Sequence, residues 1–464
     1  MRRPFVLAAA VIAALPALVQ GQASIEGAWY GTLTVATARL RLGLNVAATN
    51  GSLSATLDSL DQSVKNIPVD QITVQDGAVA FEIKAFGGTF KGTMTADGSE
   101  IAGEWTQAGQ SAPLVWKRTQ ERAKRPQEPV KPYPYREEEV AYDNPAATGV
   151  KLAATLTLPS GQGPFPVVLL ISGSGPQDRD ETIFEHRPFL VLADHLTRQG
   201  IAVLRTDDRG IGKSTGNFGT ATTEDFTSDA AAGVAYLKAR PEIDPKRMGL
   251  AGHSEGGLVA SMLAARSADV AFIVLLAGPG VNGEQLLYMQ GAAAVRASGG
   301  DAKALADQRA VQEATMKVIK EETDDTAARQ KLRAVLMGLM AGAPEKEARL
   351  AAGRQAAAAA NPWFRFFITY DPATALRKVQ CPVLALGGEL DFQVPPKENL
   401  AGIAAALKEG GNKDYDTRVL AGHNHLLQRA KTGLLAEYGS IEETMSPQAL
   451  QAISDWIAVR AKAR

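Results

Sequence analysis

The chain has 464 residues, of which 45% are hydrophobic, and its 49 basic and 50 acidic side chains leave a formal net charge of -1. This length and apolar content predict two or three domains with substantial cores, which excludes a disordered protein or a small disulfide scaffold. The balanced charge gives no reason to expect nucleic acid as a partner. The single cysteine, Cys381, allows neither an intrachain disulfide nor a thiolate metal cluster.

Residues 1–23 have the pattern of a secretory signal peptide. Two arginines precede an apolar run at 5–19, and small residues follow it as far as Ala23. The run is shorter than the roughly 20 residues that span a bilayer, and Pro16 interrupts it. We therefore expect cleavage before Ser24 and an exported protein, periplasmic or secreted, without stable membrane insertion. An uncleaved anchor is the alternative.

Residues 24–118 are predicted to form a small all-β domain, a barrel or a sandwich. Asn-Gly and Asp-Gly pairs, which favour hairpin turns, separate the strand-like segments. Hydrophobic residues alternate with others, as in half-buried strands, at 40–46, 53–57 and 79–83. Trp29, Trp105 and Trp116 are interpreted as core residues, with a ligand cavity as the alternative.

The next segment, 119–137, is basic and then rich in proline, and it is predicted to be a stiff, solvated linker. The remaining residues, 138–464, have apolar runs typical of strands buried on both faces, separated by helical segments. These strand-like runs are at 150–158, 165–172, 201–206, 248–252, 270–277, 382–387 and 415–420, and the clearest helical segments are at 188–199, 223–239 and 446–459. This order predicts an α/β fold with a mostly parallel, doubly wound sheet.

A Gly-x-Ser-x-Gly motif lies inside this domain. Gly252-His253-Ser254-Glu255-Gly256 follows a short strand and precedes a helix-like segment. In that context the motif predicts a nucleophile elbow, in which only glycine leaves room for strand and helix to crowd around the serine. Ser254 is therefore the predicted nucleophile.

A serine hydroxyl needs a positioned base to remove its proton. His423 and His425 follow the last predicted strand, where a base of this fold belongs, and Asp391 follows the strand before it. The order Ser254, Asp391, His425 is that of α/β-hydrolases. Glu389 is the alternative acid.

Several stretches resemble bacterial α/β-hydrolases, in particular exported esterases grouped with serine aminopeptidase-type hydrolases. These stretches are Ile171–Glu181, Thr206–Gly216, Gly252–Gly257, Asn361–Pro372, Gly387–Pro395 and Gly422–Gln428. The resemblance implies that the histidine before Leu-x-Gln, His425, is the catalytic base. It also implies that a β-rich domain before the hydrolase domain is normal for this group.

Acyl transfer also needs N–H donors for the developing oxyanion. The amide of Glu255 is one predicted donor, and the turn after the second predicted strand supplies the other, with Ser174 preferred and Gly175 the alternative. The glycines of this turn do not fit a dinucleotide or P-loop fingerprint. The charged side chains nearby, Asp178, Arg179, Asp208 and Arg209, are expected to form ion pairs that brace the loops.

Residues from about 281 to 370 form an insertion that is predicted to be a helical cap over the site. Its aromatic residues Trp363, Phe364 and Phe367 are candidate substrate-binding residues, although helix packing is the preferred interpretation for any one of them. The sequence thus predicts an exported serine hydrolase that cleaves short or medium acyl esters without a metal or organic cofactor. An aminopeptidase, whose Glu255 or Asp178 would hold a substrate ammonium, and a ligand-binding protein with an inert hydrolase domain are the alternatives.

Overall fold

The structure, a computed structural model, describes residues 24–35, 38–49, 51–60, 64–107, 109–119, 123–340 and 345–461. The predicted signal peptide at 1–23 lies outside these residues. The chain divides into two compact units at residues 121 and 122. Among the described residues, no helix combines the length and the apolar character needed to cross a bilayer.

The first unit is a single antiparallel sheet of nine strands. The strands are β1 Gly27–Val35, β2 Ala38–Thr49, β3 Ser52–Ser59, β4 Val64–Val69, β5 Gln71–Gln75, β6 Ala78–Ile83, β7 Gly88–Met94, β8 Glu100–Gln107 and β9 Gln110–Lys117. They follow the order β4-β3-β2-β1-β9-β8-β7-β6-β5. The two edge strands are consecutive in the chain, and β3 contacts β5 while β4 contacts β6. The sheet therefore curls into a nearly closed barrel, which confirms the predicted all-β fold.

The inward faces of these strands form one apolar core. Trp29 and Trp116 have no exposed surface, and Trp105 is buried beside them. The Trp29 indole N–H donates to the carbonyl of Ile25 at 2.7 Å, so the polar atom of this side chain is satisfied inside the core. The three tryptophans are core residues, as the sequence favours.

The proline-rich segment differs from the solvated linker that its composition predicts. Residues 123–135 belong to the second unit. Arg125 donates hydrogen bonds to the carbonyls of Phe184, Glu185, Gly439 and Ile441 at 2.8 to 3.2 Å. One guanidinium thus holds two loops of the second unit, because its five N–H groups satisfy carbonyls that would otherwise compete for water.

The second unit contains a mixed sheet of eight strands. These are β10 Arg136–Asp143, β11 Lys151–Leu158, β12 Phe165–Ile171, β13 Ala202–Thr206, β14 Ile243–His253, β15 Phe272–Leu276, β16 Val383–Gly388 and β17 Tyr415–Leu420. Their order is β10-β11-β13-β12-β14-β15-β16-β17. The six strands β12 to β17 are parallel to one another, whereas β11 is antiparallel to both β10 and β13. The expectation that the strand at 150–158 is parallel is therefore wrong, and β10 was not predicted.

Helices cover both faces of this sheet, as expected for the α/β-hydrolase fold. They are α1 Pro188–Arg198, α2 Thr223–Lys238, α3 Glu255–Ala264, α4 Gly283–Ala297, α5 Ala302–Glu321, α6 Asp325–Leu339, α7 Glu345–Ala359, α8 Pro362–Thr369, α9 Ala373–Leu376, α10 Pro396–Glu409, α11 Leu435–Tyr438 and α12 Pro447–Arg460. Helices α2, α3 and α10 pack into the core on one face, and α1 and α12 pack into the core on the other.

Helices α4 to α8 form the insertion between β15 and β16, where the sequence predicts a helical cap. Their apolar residues form a cluster of their own, which includes Leu332, Leu336 and Phe367. The same cluster contains Leu258 of α3 and Val394 of the loop after β16. The insertion is thereby packed against the two segments that carry the Gly-x-Ser-x-Gly motif and Asp391.

Candidate active site

Ser254 stands at a sharp turn between β14 and α3. Its backbone has φ 51° and ψ −118°, a region that non-glycine residues rarely adopt and that costs about 1–3 kcal/mol. A Cβ on Gly252 would lie 2.0 Å from the carbonyl oxygen of Gly256, and a Cβ on Gly256 would lie 2.2 Å from that of Ile171. Glycine at both positions is therefore required by the close approach of strand and helix, as the motif predicts.

Asp391 and His425 meet in the loops that follow β16 and β17. His425 Nδ1 lies 2.7 Å from Asp391 Oδ2, and both residues are buried. The other carboxylate oxygen, Oδ1, accepts the backbone N–H groups of Gln393 and Val394, each at 2.8 Å. These bonds fix the orientation of the carboxylate, and the carboxylate in turn fixes the imidazole.

Ser254 and His425 lie on neighbouring loops. The ring of His253, the residue before Ser254, has its centroid 4.8 Å from that of His425. In the part of the chain that the structure describes, no hydrogen bond joins the Ser254 hydroxyl to His425. The three predicted residues are thus gathered at one end of the sheet, with the acid and base already bonded.

The alternative acid and base have other partners. Glu389 is exposed, and its carboxylate accepts the Gly422 N–H at 2.8 Å. His423 Nε2 lies 2.6 Å from the hydroxyl of Ser446, which caps α12, and its Nδ1 lies 2.8 Å from the Ala421 carbonyl. Both residues therefore serve the structure of these loops.

The turn after β12 lies directly beside the nucleophile. A Cβ on Gly173 would be 3.2 Å from Ser254 Cβ, and the Gly173 N–H donates to Glu181 Oε1 at 2.7 Å. Among the hydrogen bonds of the described residues, none uses the amide of Ser174 or that of Glu255. The Gly173 amide is thus occupied, whereas the two amides predicted to bind an oxyanion are not engaged by these residues.

Glu181 and His253 form a buried polar pair that our reading of the sequence missed. Glu181 Oε1 lies 2.8 Å from His253 Nδ1, and His253 Nε2 lies 3.1 Å from the carbonyl oxygen of His425. Burial alone would lower the pKa of His253, but the carboxylate of Glu181, together with the His425 carbonyl and the Asp391 carboxylate, more than offsets it, so the pKa is raised. The only sequence signal was that both residues lie in stretches that resemble other hydrolases.

Glu255 connects the elbow with the cap. Its Oε1 accepts the hydroxyl of Thr223 at 2.6 Å and the indole N–H of Trp363 at 2.8 Å, and burial raises the pKa of this carboxyl. Trp363 stacks on Phe367, with ring centroids 5.3 Å apart, and Phe364 packs against the same apolar cluster. These three aromatic residues all take part in helix packing, and Trp363 also anchors α8 to the elbow.

The charged loop residues form two separate buried ion pairs. Arg179 pairs with Asp207 at 2.8 Å, and Arg209 pairs with Asp229 at 2.7 Å. Both loops are braced in this way, as expected, but among the described residues Asp178 forms no ion pair, and neither does Asp208. It instead accepts the Ser172 hydroxyl and the Gln177 N–H at 2.8 and 3.0 Å.

Asp208 and Glu255 both line a cavity of about 50 Å³ behind the turn after β12. Burial of Asp208, together with the nearby carboxylates of Glu181 and Glu255, raises its pKa to about 7. Near neutral pH this site therefore holds a carboxyl that is protonated in a large fraction of the molecules.

The part of the chain that carries Ser254 and Asp391 matches a known protein family. The family model of X-Pro dipeptidyl-peptidase (S15 family) matches residues 148–420, which is more than half of the chain and includes Ser254 and Asp391. The esterase EstD of Thermotoga maritima is 36% identical over 145 residues, which are 30% of this chain and 34% of EstD. The chain thus matches about a third of the length of this relative.

Two solved structures also resemble the chain. An esterase of Pyrococcus furiosus is 17% identical, with a TM-score of 0.44 and coverage of 74% of this chain and 100% of that one. Est1E of Butyrivibrio proteoclasticus, solved with ferulic acid, is 18% identical, with a TM-score of 0.39 and coverage of 69% and 98%.

Proposed function

The chain belongs to the X-Pro dipeptidyl-peptidase (S15) family, and we propose that it is a serine hydrolase that cleaves carboxylic esters of short or medium acyl chains. One observation carries the proposal: His425, whose Nδ1 is 2.7 Å from the buried carboxylate of Asp391, has its ring 4.8 Å from that of His253, the residue immediately before the strained Ser254. This is the arrangement of nucleophile, base and orienting acid that acyl transfer requires.

In the proposed reaction Ser254 attacks the ester carbonyl while His425 takes its proton at Nε2. Asp391 accepts the Nδ1–H and stabilises the imidazolium that forms. His425 then gives the proton to the leaving alkoxide, and the acyl group stays on Ser254. A water molecule, deprotonated by His425, attacks the acyl-enzyme and releases the acid.

The oxyanion of each tetrahedral intermediate is assigned to the amides of Ser174 and Glu255. The N-terminus of α3 places the second amide next to the nucleophile, and its helix dipole favours negative charge there. The bond from the Gly173 N–H to Glu181 holds the preceding residue of the turn. That contact supports Ser174, not Gly173, as the donor from this turn.

Two acidic residues bear on the choice between esters and aminoacyl amides. The Glu255 carboxyl is buried and already accepts two donors, and Asp178 accepts the N–H groups of Asp180 and Thr182 and the hydroxyl of Thr182. A substrate ammonium would have to displace these bonds.

The test is a Ser254→Ala variant assayed with p-nitrophenyl acetate and butyrate. We expect turnover to fall to background while the circular dichroism spectrum and melting temperature stay those of the wild type, because the hydroxyl is the bond-forming group. A fluorophosphonate probe should label the wild type and not the variant. Retained ester turnover in the variant would contradict the assignment of Ser254 as the nucleophile.

The same assay distinguishes the alternatives. Faster cleavage of Ala-Pro-p-nitroanilide or of aminoacyl-nitroanilides than of the esters would replace the esterase proposal with a peptidase. Failure of the wild type both to turn over any of these substrates and to react with the probe would favour a ligand-binding protein with an inert hydrolase domain.

We also propose that the protein is exported, on the pattern of charged, apolar and small residues in 1–23. Expression of the full chain in a bacterial host should give an extracytoplasmic protein whose mass corresponds to a start near Ser24. A cytoplasmic protein with its first 23 residues intact would contradict this.

A further inference from the structure

His253 faces a hydrogen-bond acceptor at each ring nitrogen. Its Nδ1 lies 2.8 Å from a carboxylate oxygen of Glu181, and its Nε2 lies 3.1 Å from the main-chain carbonyl of His425. A neutral imidazole has one donor and one acceptor nitrogen, so only the imidazolium donates to both. The ring and the carboxylate are buried, with 7% and 2% of their surface exposed.

The same proton could formally reside on Glu181. Its Oε1, however, already accepts the Gly173 N–H at 2.7 Å, which stabilises the carboxylate form. An imidazole is also the stronger base by about two units in water. The arrangement is therefore best described as a carboxylate paired with an imidazolium.

We propose that Glu181 and His253 are positioning residues, a buried carboxylate–imidazolium pair that holds the oxyanion turn and the His425 loop together for ester cleavage. This inference rests on the proposed function for its kinetic role, although not for the charge state of the pair. Glu181 fixes the turn through Gly173. His253, which immediately precedes the nucleophile, fixes the main chain of His425, whose side chain Asp391 orients.

The pair lies directly beside the proposed base. The ring centroids of His253 and His425 are 4.8 Å apart. Two further carboxyl groups lie near the pair: that of Asp391 acts on His253, and that of Asp208 acts on Glu181.

The charge state is tested in the Ser254→Ala chain labelled with ¹⁵N-histidine. The His253 signals, identified by their absence in a His253→Gln chain, should show two protonated ring nitrogens at pH 8, about 1.5 units above the ordinary histidine pKa. In a Glu181→Gln chain His253 should instead be neutral at pH 8. A neutral His253 at pH 7 in the chain with Glu181 intact would overturn the proposal.

The positioning role is tested by Glu181→Gln in the active protein, since the glutamine oxygen can still accept both the Gly173 and the His253 N–H. We expect kcat for p-nitrophenyl butyrate to fall about tenfold with KM within about twofold. His195→Gln, which removes a histidine bonded to Ser454 of α12, is the control and should leave both quantities unchanged.

A Glu181→Gln enzyme with the wild-type kcat would overturn the positioning role. If the wild type cleaves no ester, the proposed function fails, and the NMR result still decides whether the ion pair exists. The NMR measurement on the chain with Glu181 intact also stands if Glu181→Gln fails to fold.

Discussion

Asp391 is the residue on which the orientation of the proposed base depends. An Asp391→Asn variant keeps a similar shape but presents an amide to His425 Nδ1, which selects the wrong tautomer for accepting the serine proton. We expect kcat for p-nitrophenyl esters to fall by about 10³- to 10⁴-fold. Steady-state kinetics with the folded variant measures this loss.

Glu389→Gln is the matched control, because Glu389 is the alternative acid and its carboxylate bonds to Gly422 instead of His425. Its kcat should stay within about twofold of the wild type, as usual for an exposed side chain away from the reacting groups. A large loss in this variant together with a small one in Asp391→Asn would exchange the two assignments.

The carboxyl of Asp208 makes stability depend on pH. Its pKa is raised to about 7 in the folded chain and is about 3.9 when unfolded. Below about pH 3 the group is protonated in both states and its full contribution to stability is present. Between about pH 4 and pH 7 the unfolded chain releases this proton while the folded chain keeps it, so the contribution is lost, by about 4 kcal/mol at most once the pH has risen through 7.

Asp208→Asn removes this titration and keeps an oxygen for Ser172 and Gln177. In urea denaturation the free energy of unfolding of the variant, relative to that of the wild type, should therefore increase as the pH rises from 4 to 8. A difference between the two proteins that stays constant over this range would show that Asp208 titrates near its ordinary pKa.

At the scale of elements, the approach of α3 to the end of β12 leaves no room for a side chain at Gly256. A Cβ there would lie 2.2 Å from the Ile171 carbonyl oxygen and 2.7 Å from that of Ser172. Because both contacts are backbone atoms, neither can move aside cheaply. Gly256→Ala should lower the free energy of unfolding by about 3 kcal/mol or more and abolish ester turnover.

Gly353 in α7 provides the contrast. A Cβ at this position would meet no atom within 4 Å, so Gly353→Ala should stabilise the helix by about 0.5–1 kcal/mol and leave turnover unchanged. Thermal denaturation of the two variants measures both effects. Equal tolerance of alanine at both positions would contradict the crowding described for the elbow.

For the whole molecule, the apolar clusters indicate which parts of the chain can fold independently. The core of the barrel draws only on residues from 25 to 116, and the two cores that flank the eight-stranded sheet draw on residues from 140 onward. A chain that starts at residue 123 should therefore fold and retain ester turnover, since it keeps complete cores and the hydrogen bonds of Arg125.

A chain that starts at residue 137 tests the role of the proline-rich segment. It lacks Arg125 and Gln127, which together bond to seven main-chain groups of the loops 184–185 and 439–445. We expect its melting temperature to fall below that of the chain starting at 123, because these carbonyl and N–H groups lose their partners. Equal melting temperatures would mean that the segment is no more than a linker.

The sequence was a sound guide wherever the signal was local. Buried parallel strands gave continuous apolar runs, and the predicted helices at 188–199 and 223–239 end within one residue of α1 and α2. The presence of β10 and the direction of β11 lacked such a signal. β10 is rich in charged residues and half exposed, and the direction of β11 depends on the short connection that joins it to β10, which periodicity does not reveal.

The sequence by itself determined the nucleophile motif, the order of acid and base, the all-β and α/β classes of the two units and the reason for the elbow glycines. Each of these depends on residue type at short spacing. Only the tertiary structure decided that Asp391, not Glu389, bonds to His425, that Glu181 pairs with His253, and that Arg125 belongs to the second unit. Those contacts join residues dozens to hundreds of positions apart, and hydrogen-bond partners at such separations are set by how the loops meet at the end of the sheet.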